Sequence, residues 1–287
     1  MIWFIYAFLT AFFESIKDVL SKRTLKDIDE YVVAWSLWFL ALPLLIPFLF
    51  IIGIPSINPP FWYALPIGGS INIVATVLYM KAIKYSDLSI TVPIVAFTPL
   101  FLLVTSPLLV NEFPDVFGLI GVLFIVGGSF LLNITQYKEG ILEPFKALIR
   151  QRGPRLMLLV AFVWSISSNI DKIGVINSSP FLWVTAMAGF VSVIMAPLVL
   201  LRQRTTSTHP VAFLKMLLPI GLVYGLTIIN QMNAIQSTLV SYTISIKRTS
   251  TIFAVIWGYL IFKEQGIRER LVGTVLMVIG VVFITLL

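Results

Sequence analysis

The chain has 287 residues, 59% of them apolar and only 11% charged, with a mean hydropathy of +0.99. A water-soluble domain cannot hide that much apolar surface, so most of the outside must face lipid. The formal charge of +7 then reads as cationic loops that orient a membrane protein, with no nucleic-acid partner, and the lack of cysteine excludes disulfides and thiolate metal sites.

Apolar blocks between turn signals predict spans near 3–22, 32–52, 61–80, 88–110, 115–134, 156–176, 181–201, 213–233, 239–262 and 270–287. These blocks are continuous over roughly 18 to 24 residues, the length a helix needs to cross, and lack the ten-residue alternation of a barrel strand. The first carries Glu14, Lys17 and Asp18 with no small-x-small site after it, so it is not expected to be a cleaved signal peptide. Breakers such as Gly53-Ile54-Pro55 and Asn58-Pro59-Pro60 separate the second and third. Pro93, Pro99 and Pro107 predict bending in the fourth, where the ninth has Ser245, Thr251 and Tyr259 instead. A cationic linker over 138–155, with a short interfacial helix at Leu142–Ile149, separates a first half, 1–137, from a second, 156–287.

Lysine and arginine sort by side. Lys22, Arg23, Lys26, Lys81, Lys84, Lys138, Lys146, Arg150, Arg152, Arg155, Arg202, Arg204, Lys215, Lys263, Arg268 and Arg270, sixteen of the twenty, stand in or beside the loops after odd-numbered spans. Lys17, Lys172, Lys247 and Arg248 lie inside spans. The positive-inside rule then makes the odd loops cytoplasmic and puts both termini outside a cell membrane crossed ten times.

The sequence repeats. A shift of 150 aligns Ala11-Phe12, Ser15-Ile16 and Lys22 with Ala161-Phe162, Ser165-Ile166 and Lys172. A shift of 152 aligns Ala82-Ile83 with Ala234-Ile235, Glu112 with Glu264, Gly121 with Gly273 and Gly128 with Gly280. Each repeat holds five spans, an odd number, so the second is inserted upside down. Inverted repeats of this kind build transporters with a midplane site between the halves. The glycine pairs, seven apart, and Gly221-x-x-x-Gly225 suit close helix packing.

Seven ionisable residues sit within spans: Glu14, Lys17, Asp18, Asp171, Lys172, Lys247 and Arg248. Each costs roughly 2.5–3.5 kcal/mol at a helix centre, so such residues face the interior, pair, or mark a substrate path. Lys247 and Arg248 read as an anion clamp, a point charge beside a planar fork, or as a structural ion pair with Asp171 or Asp18. At 1.5 Å per residue Lys247 and Asp171 lie at comparable depths, which makes such a pair reachable. Glu14, four residues from Asp18 on one face, reads as a proton-coupling carboxylate or as a salt bridge to Lys17. Lys17, near the cytoplasmic end, is placed to snorkel, and Trp3, Trp62 and Trp183 are expected as interfacial anchors. Asn72, Tyr79, Asn169, Tyr224, Asn230 and Gln231 complete a cavity or act as interhelical glue.

A ten-span inverted repeat with Glu112 and Glu264 ending the fourth and ninth spans, and glycines opening the fifth and tenth, resembles the EamA-type family of the drug/metabolite transporter superfamily. The resemblance implies alternating access around a central cavity and metabolite export. The first span also looks like the opening helix of the small multidrug resistance proteins, whose buried Glu exchanges protons for cationic drugs. Lys247-Arg248 is similar to the pair with which plastid phosphate translocators grip phosphate. Trp164 replaces Glu14 in the second repeat and Val95-Ala96 replaces Lys247-Arg248 in the first, so the interior is asymmetric.

The sequence therefore predicts an all-α polytopic membrane protein of two inverted five-helix repeats, a secondary transporter of a small polar metabolite with an anionic group, coupled to protons. Its expected substrate contacts are Lys247, Arg248, Asp171, Asn72, Tyr79, Tyr224 and Asn230, with Glu14 and Asp18 for proton coupling. An exporter of cationic drugs or amines and a lipid-linked-sugar flippase are the alternatives. No cofactor, metal or catalytic constellation is expected: there is no P-loop, and the one histidine, His209, falls in a loop. The expected partners are the small-molecule substrate, protons and the lipid bilayer, for a monomer or homodimer.

Overall fold

A computed structural model of the chain describes residues 2–85, 94–134, 152–203, 210–253, 256–257 and 267–286. The helices are α1 (Ile2–Thr24), α2 (Glu30–Phe39), α3 (Leu42–Ile52), α4 (Pro60–Tyr85), α5 (Thr98–Val110), α6 (Val116–Ile134), α7 (Arg152–Ile176), α8 (Pro180–Gln203), α9 (Pro210–Ser237), α10 (Val240–Lys247) and α11 (Ile267–Leu286). Among the described residues there is no strand. The expected linker helix at Leu142–Ile149, together with Pro93, His209 and Glu264, lies outside them.

Among the described residues five stretches are long and apolar enough to cross a membrane: α2 with α3, α4, α7, α8 and α9; α5, α6 and α11 give shorter apolar helices. α1 has the length, but every 18-residue window of it includes Glu14, Lys17 and Asp18. Large apolar side chains face outward, among them Phe50, Ile51 and Leu108 at 84%, 80% and 77% exposure. That exterior suits hydrocarbon, while Glu14, Lys17, Asp18, Asp171, Lys247 and Arg248 are buried inside. The chain is an all-α polytopic membrane protein.

Within the described residues three expected spans are interrupted. α2, whose N-terminus is capped by Asp29 accepting from the Tyr31 N–H at 2.9 Å, stops at a turn over Leu40–Ala41 before Pro43. Proline lacks an amide donor and disfavours helical geometry in the residue before it. Gly221 packs on that turn, with a Cβ position only 2.3 Å from the Leu40 Cβ, and Gly225 packs on Ala41. The fourth span turns at Ala96–Phe97 and the ninth at Arg248–Thr249, positions 152 apart. Bending was expected only in the proline-bearing fourth. In the ninth, hydroxyls compete for the helix carbonyls: Thr249 Oγ1 donates to Ile246 O at 2.7 Å and Thr251 Oγ1 to Arg248 O at 3.0 Å.

The two halves interleave, α6 on α11, α4 on α7 and α1 on α9, with α5 against both α7 and α10. Exchanging the halves maps contacts onto contacts. A Cβ on Gly121 would sit 2.6 Å from Gly280 O, and one on Gly128 would sit 2.6 Å from Gly273 O. Lys22 Nζ donates to Ile83 O at 2.6 Å as Lys172 Nζ donates to Ile235 O at 2.7 Å. These glycines are packing residues, and the inverted repeat is visible in which atoms touch. Because the neighbour is backbone, Gly121→Val forces α6 from α11; a loss of about 1–3 kcal/mol is expected, read as a lower melting temperature in detergent.

Candidate functional site

The buried charges converge. Glu14, Lys17 and Asp18 lie on the inner face of α1. Lys17 donates to Glu14 at 2.9 Å and stands 3.0 Å from Asp18, whose carboxylate also accepts the Tyr79 hydroxyl at 2.6 Å. At 2% exposure Lys17 does not snorkel, because two carboxylates hold it inside the bundle.

α10 brings the second group from the opposite half. Lys247 ends that helix and Arg248 caps it, so both charges stand where the helix dipole favours cations. Lys247 Nζ donates to Gln231 Oε1 at 2.8 Å and lies 3.6 Å from Glu14. Arg248 Nη2 donates to Thr98 Oγ1 at 3.1 Å, so the break in the ninth span reaches the break in the fourth. Both cations also lie over the Trp164 ring, 5.7 and 5.6 Å from its centroid.

The expected ion pairs to Asp171 and Asp18 are not formed. Asp171 instead accepts the Trp183 indole N–H at 2.9 Å, and Asp18 is taken up by Lys17 and Tyr79. Trp183, expected at the interface, is 1% exposed and stands against Gly174, where a side chain would overlap its ring. Trp62, at 63% exposure, remains on the outside.

A cavity open at one side joins these groups; its polar lining includes Glu14, Lys17, Asn72, Ser167, Ser168, Asp171, Tyr224, Gln231, Lys247 and Arg248, between Trp38, Trp164 and Trp183. Tyr79 and Asp18 sit behind Lys17 and do not line it. Asn230 is also absent from the lining and turns its amide onto Leu226 O at 2.7 Å, while its neighbour Gln231 faces in. Asn169 acts as glue, donating to Thr105 Oγ1 at 3.1 Å. Ser167 and Ser168 were not singled out in the sequence; a Ser-Ser-Asn run inside an apolar span is the signal that marks them.

The charges balance in a particular way. Glu14 and Asp18 are matched by Lys17 and Lys247. Arg248 and Asp171 remain, neither in an ion pair with a described residue. Glu14 Oε2, Asn72 Nδ2, Ser167 Oγ and Arg248 Nε, all on residues that line the cavity, are buried without a hydrogen-bond partner, Glu14 Oε2 facing Lys247 Nζ at 3.6 Å. A buried polar atom left unpaired costs about 1–3 kcal/mol, so these four leave the cavity with polar groups that a ligand could satisfy. Among the described residues no group of acids or histidines is arranged to hold a metal ion.

No curated protein matches the sequence. A solved crystal structure superposes with a TM-score of 0.78 over 99% of this chain and 98% of its own, at 14% identity, which establishes a shared fold and nothing finer. The model of the EamA-like transporter family matches twice, over residues 1–134 and 151–286. With nearly the whole length covered and one match per half, the chain belongs to the EamA-like transporter family, whose members are multi-pass membrane transporters of small molecules.

Proposed function

We propose that the chain is a secondary transporter, working as an exporter, that carries a small polar metabolite with an anionic group by alternating access of its two halves. The observation that carries this reading is Arg248, a buried guanidinium with no carboxylate partner among the described residues and an unpaired Nε, placed beside Lys247 at a helix break. Discontinuous helices at the middle of the bundle are where inverted-repeat transporters bind their substrates. In this reading Arg248 and Lys247 hold the anionic group, Asp171 accepts from a donor elsewhere on the substrate, and Trp38, Trp164 and Tyr224 wall the cavity. Glu14, within reach of two lysines, is the carboxylate through which protons couple.

The aromatic walls together with Glu14 and Asp171 favour a second reading, export of an organic cation. A thermal-shift screen of purified protein against phosphate esters, organic acids, amino acids and quaternary amines separates the two. A ligand at 100 times its dissociation constant stabilises by about 2.7 kcal/mol, well within detection. Stabilisation by anions that disappears in Lys247→Gln is the expected result. Stabilisation by amines alone, lost in Glu14→Gln, would replace the anion clamp with the second reading.

We also assign ten crossings with both termini on the non-cytoplasmic side, five in each repeat (1–137 and 156–287), from the cationic loops. The native chain is free of cysteine, so single replacements report directly. Cysteine in place of exposed Ser56 should react with an impermeant thiol reagent in intact cells, and cysteine in place of exposed Arg23 only after permeabilisation. The reverse pattern would invert the assignment.

A further inference from the structure

We propose that Glu112 and Lys172 form a charge latch that ties the two halves together at one end of the bundle and has to part before the cavity opens there. The proposal rests on the transport reading above.

Glu112 follows α5 directly, after the left-handed Asn111 (φ 54°) that ends the helix. One of its oxygens, Oε1, stands 3.0 Å from Lys172 Nζ, and the other, Oε2, accepts the Val240 N–H at 2.9 Å. The residue before Val240, Leu239, has no side chain to cap α10, so a carboxylate from the opposite half satisfies that free donor. Lys172 Nζ also donates to Ile235 O at 2.7 Å and Thr238 O at 2.9 Å, the free carbonyls at the end of α9. Four helix ends, those of α5, α7, α9 and α10, therefore meet at one ion pair.

The inverted repeat separates what is fixed from what moves. Lys172 to Ile235 lies within the second half, and its counterpart, Lys22 to Ile83, lies within the first. Bonds of this kind are internal to each unit and persist as the units rock. Glu112 to Lys172 and Glu112 to Val240 cross between units, and in alternating access crossing contacts are the ones that change. Further contacts between the halves gather at the same end. The Asn58 N–H donates to Asn177 O at 3.0 Å, and the Tyr242 hydroxyl to Asp115 at 3.3 Å, with Trp3 of α1 stacked on Tyr242.

The latch is also wired to the cavity. Asp171, one residue before Lys172, lines it, as does Ser168 one turn earlier on α7. α10, whose first amide Glu112 holds, carries Lys247 and Arg248 at its other end, eight residues or about 12 Å away. Movement of α10 on leaving Glu112 is movement of the cation pair.

The test places one cysteine at Ser168 and measures its reaction with an impermeant thiol reagent from each face of oriented vesicles, with and without Glu112→Gln. Glutamine keeps an oxygen for the Val240 N–H and removes the charge facing Lys172. The expected result is a rise of about tenfold in labelling from the latch face, the scale of a typical conformational coupling, without a matching rise from the opposite face. Tyr242→Phe, which deletes only a crossing hydrogen bond at the same end, should shift labelling the same way by less. Labelling unchanged in both variants, with the cysteine reachable from either face in the parent, would leave transport standing and reduce the pair to a fixed helix cap. A cysteine reachable from one face only under every condition would overturn alternating access and the latch with it.

Discussion

Arg248→Gln is expected to leave a folded protein that holds its substrate much more weakly. The guanidinium is buried, donates to Thr98 and lies over Trp164, but among the described residues it has no carboxylate to leave behind uncompensated. Its removal therefore costs little stability in comparison with its effect on an anion. A hydrogen bond to a charged group contributes about 1.5–3 kcal/mol, so the substrate's apparent affinity should weaken by roughly 10- to 100-fold. Arg248→Lys restores the charge without the planar fork and should recover only part. Lys247→Gln should show the same direction, with some added loss of stability because Glu14 then keeps only Lys17 as a cationic partner. Concentration dependence of transport, set beside the melting temperature of each variant, checks all three. Wild-type affinity in Arg248→Gln would remove the anion clamp.

The second large effect is on folding. Glu14 is 1% exposed and lies between Lys17 at 2.9 Å and Lys247 at 3.6 Å. Breaking a buried ion pair from one side leaves a buried charge without its partner and typically costs about 3–5 kcal/mol. Glu14→Gln should lower the melting temperature sharply, and adding Lys247→Gln should return part of the loss, since one uncompensated cation disappears with it. A double-mutant cycle gives the coupling between the two. If the two losses simply add, the link from α1 to α10 carries no energy. In the same variant, any pH dependence of transport should disappear if Glu14 is the coupling carboxylate.

Much of the fold is legible in the sequence because a bilayer leaves few choices: long apolar blocks become helices, and matching residues 152 apart become matching contacts. The close approach of Gly121 and Gly280, and the paired roles of Lys22 and Lys172, follow from that repeat. The convergence of Glu14 with Lys247 was harder to foresee. Depth along a helix can be counted, but the direction a side chain faces depends on which helices are neighbours. Depth alone pointed to Asp171 as partner for Lys247, whereas the packing of α1 on α9 and α10 brings Glu14 there instead. Trp183 misled for a related reason: a tryptophan near a span end suits a membrane interface, and only the bare surface of Gly174 reveals the inner slot that takes it. Asn230 and Gln231 are adjacent and chemically alike, so sequence could not say which of the two faces the cavity. The turn at Arg248–Thr249 had no proline to announce it, only a run of hydroxyl residues.

The most direct test of the central claim is counterflow in proteoliposomes, loaded with the small anion that gives the largest thermal stabilisation and diluted into a trace of the same labelled compound. A carrier that alternates around a single site accumulates label transiently against its gradient. The predicted result is accumulation by the native protein, reduced at subsaturating substrate in Arg248→Gln and absent from empty liposomes. Binding of that anion with no accumulation, in native protein that is folded and inserted, would contradict the account.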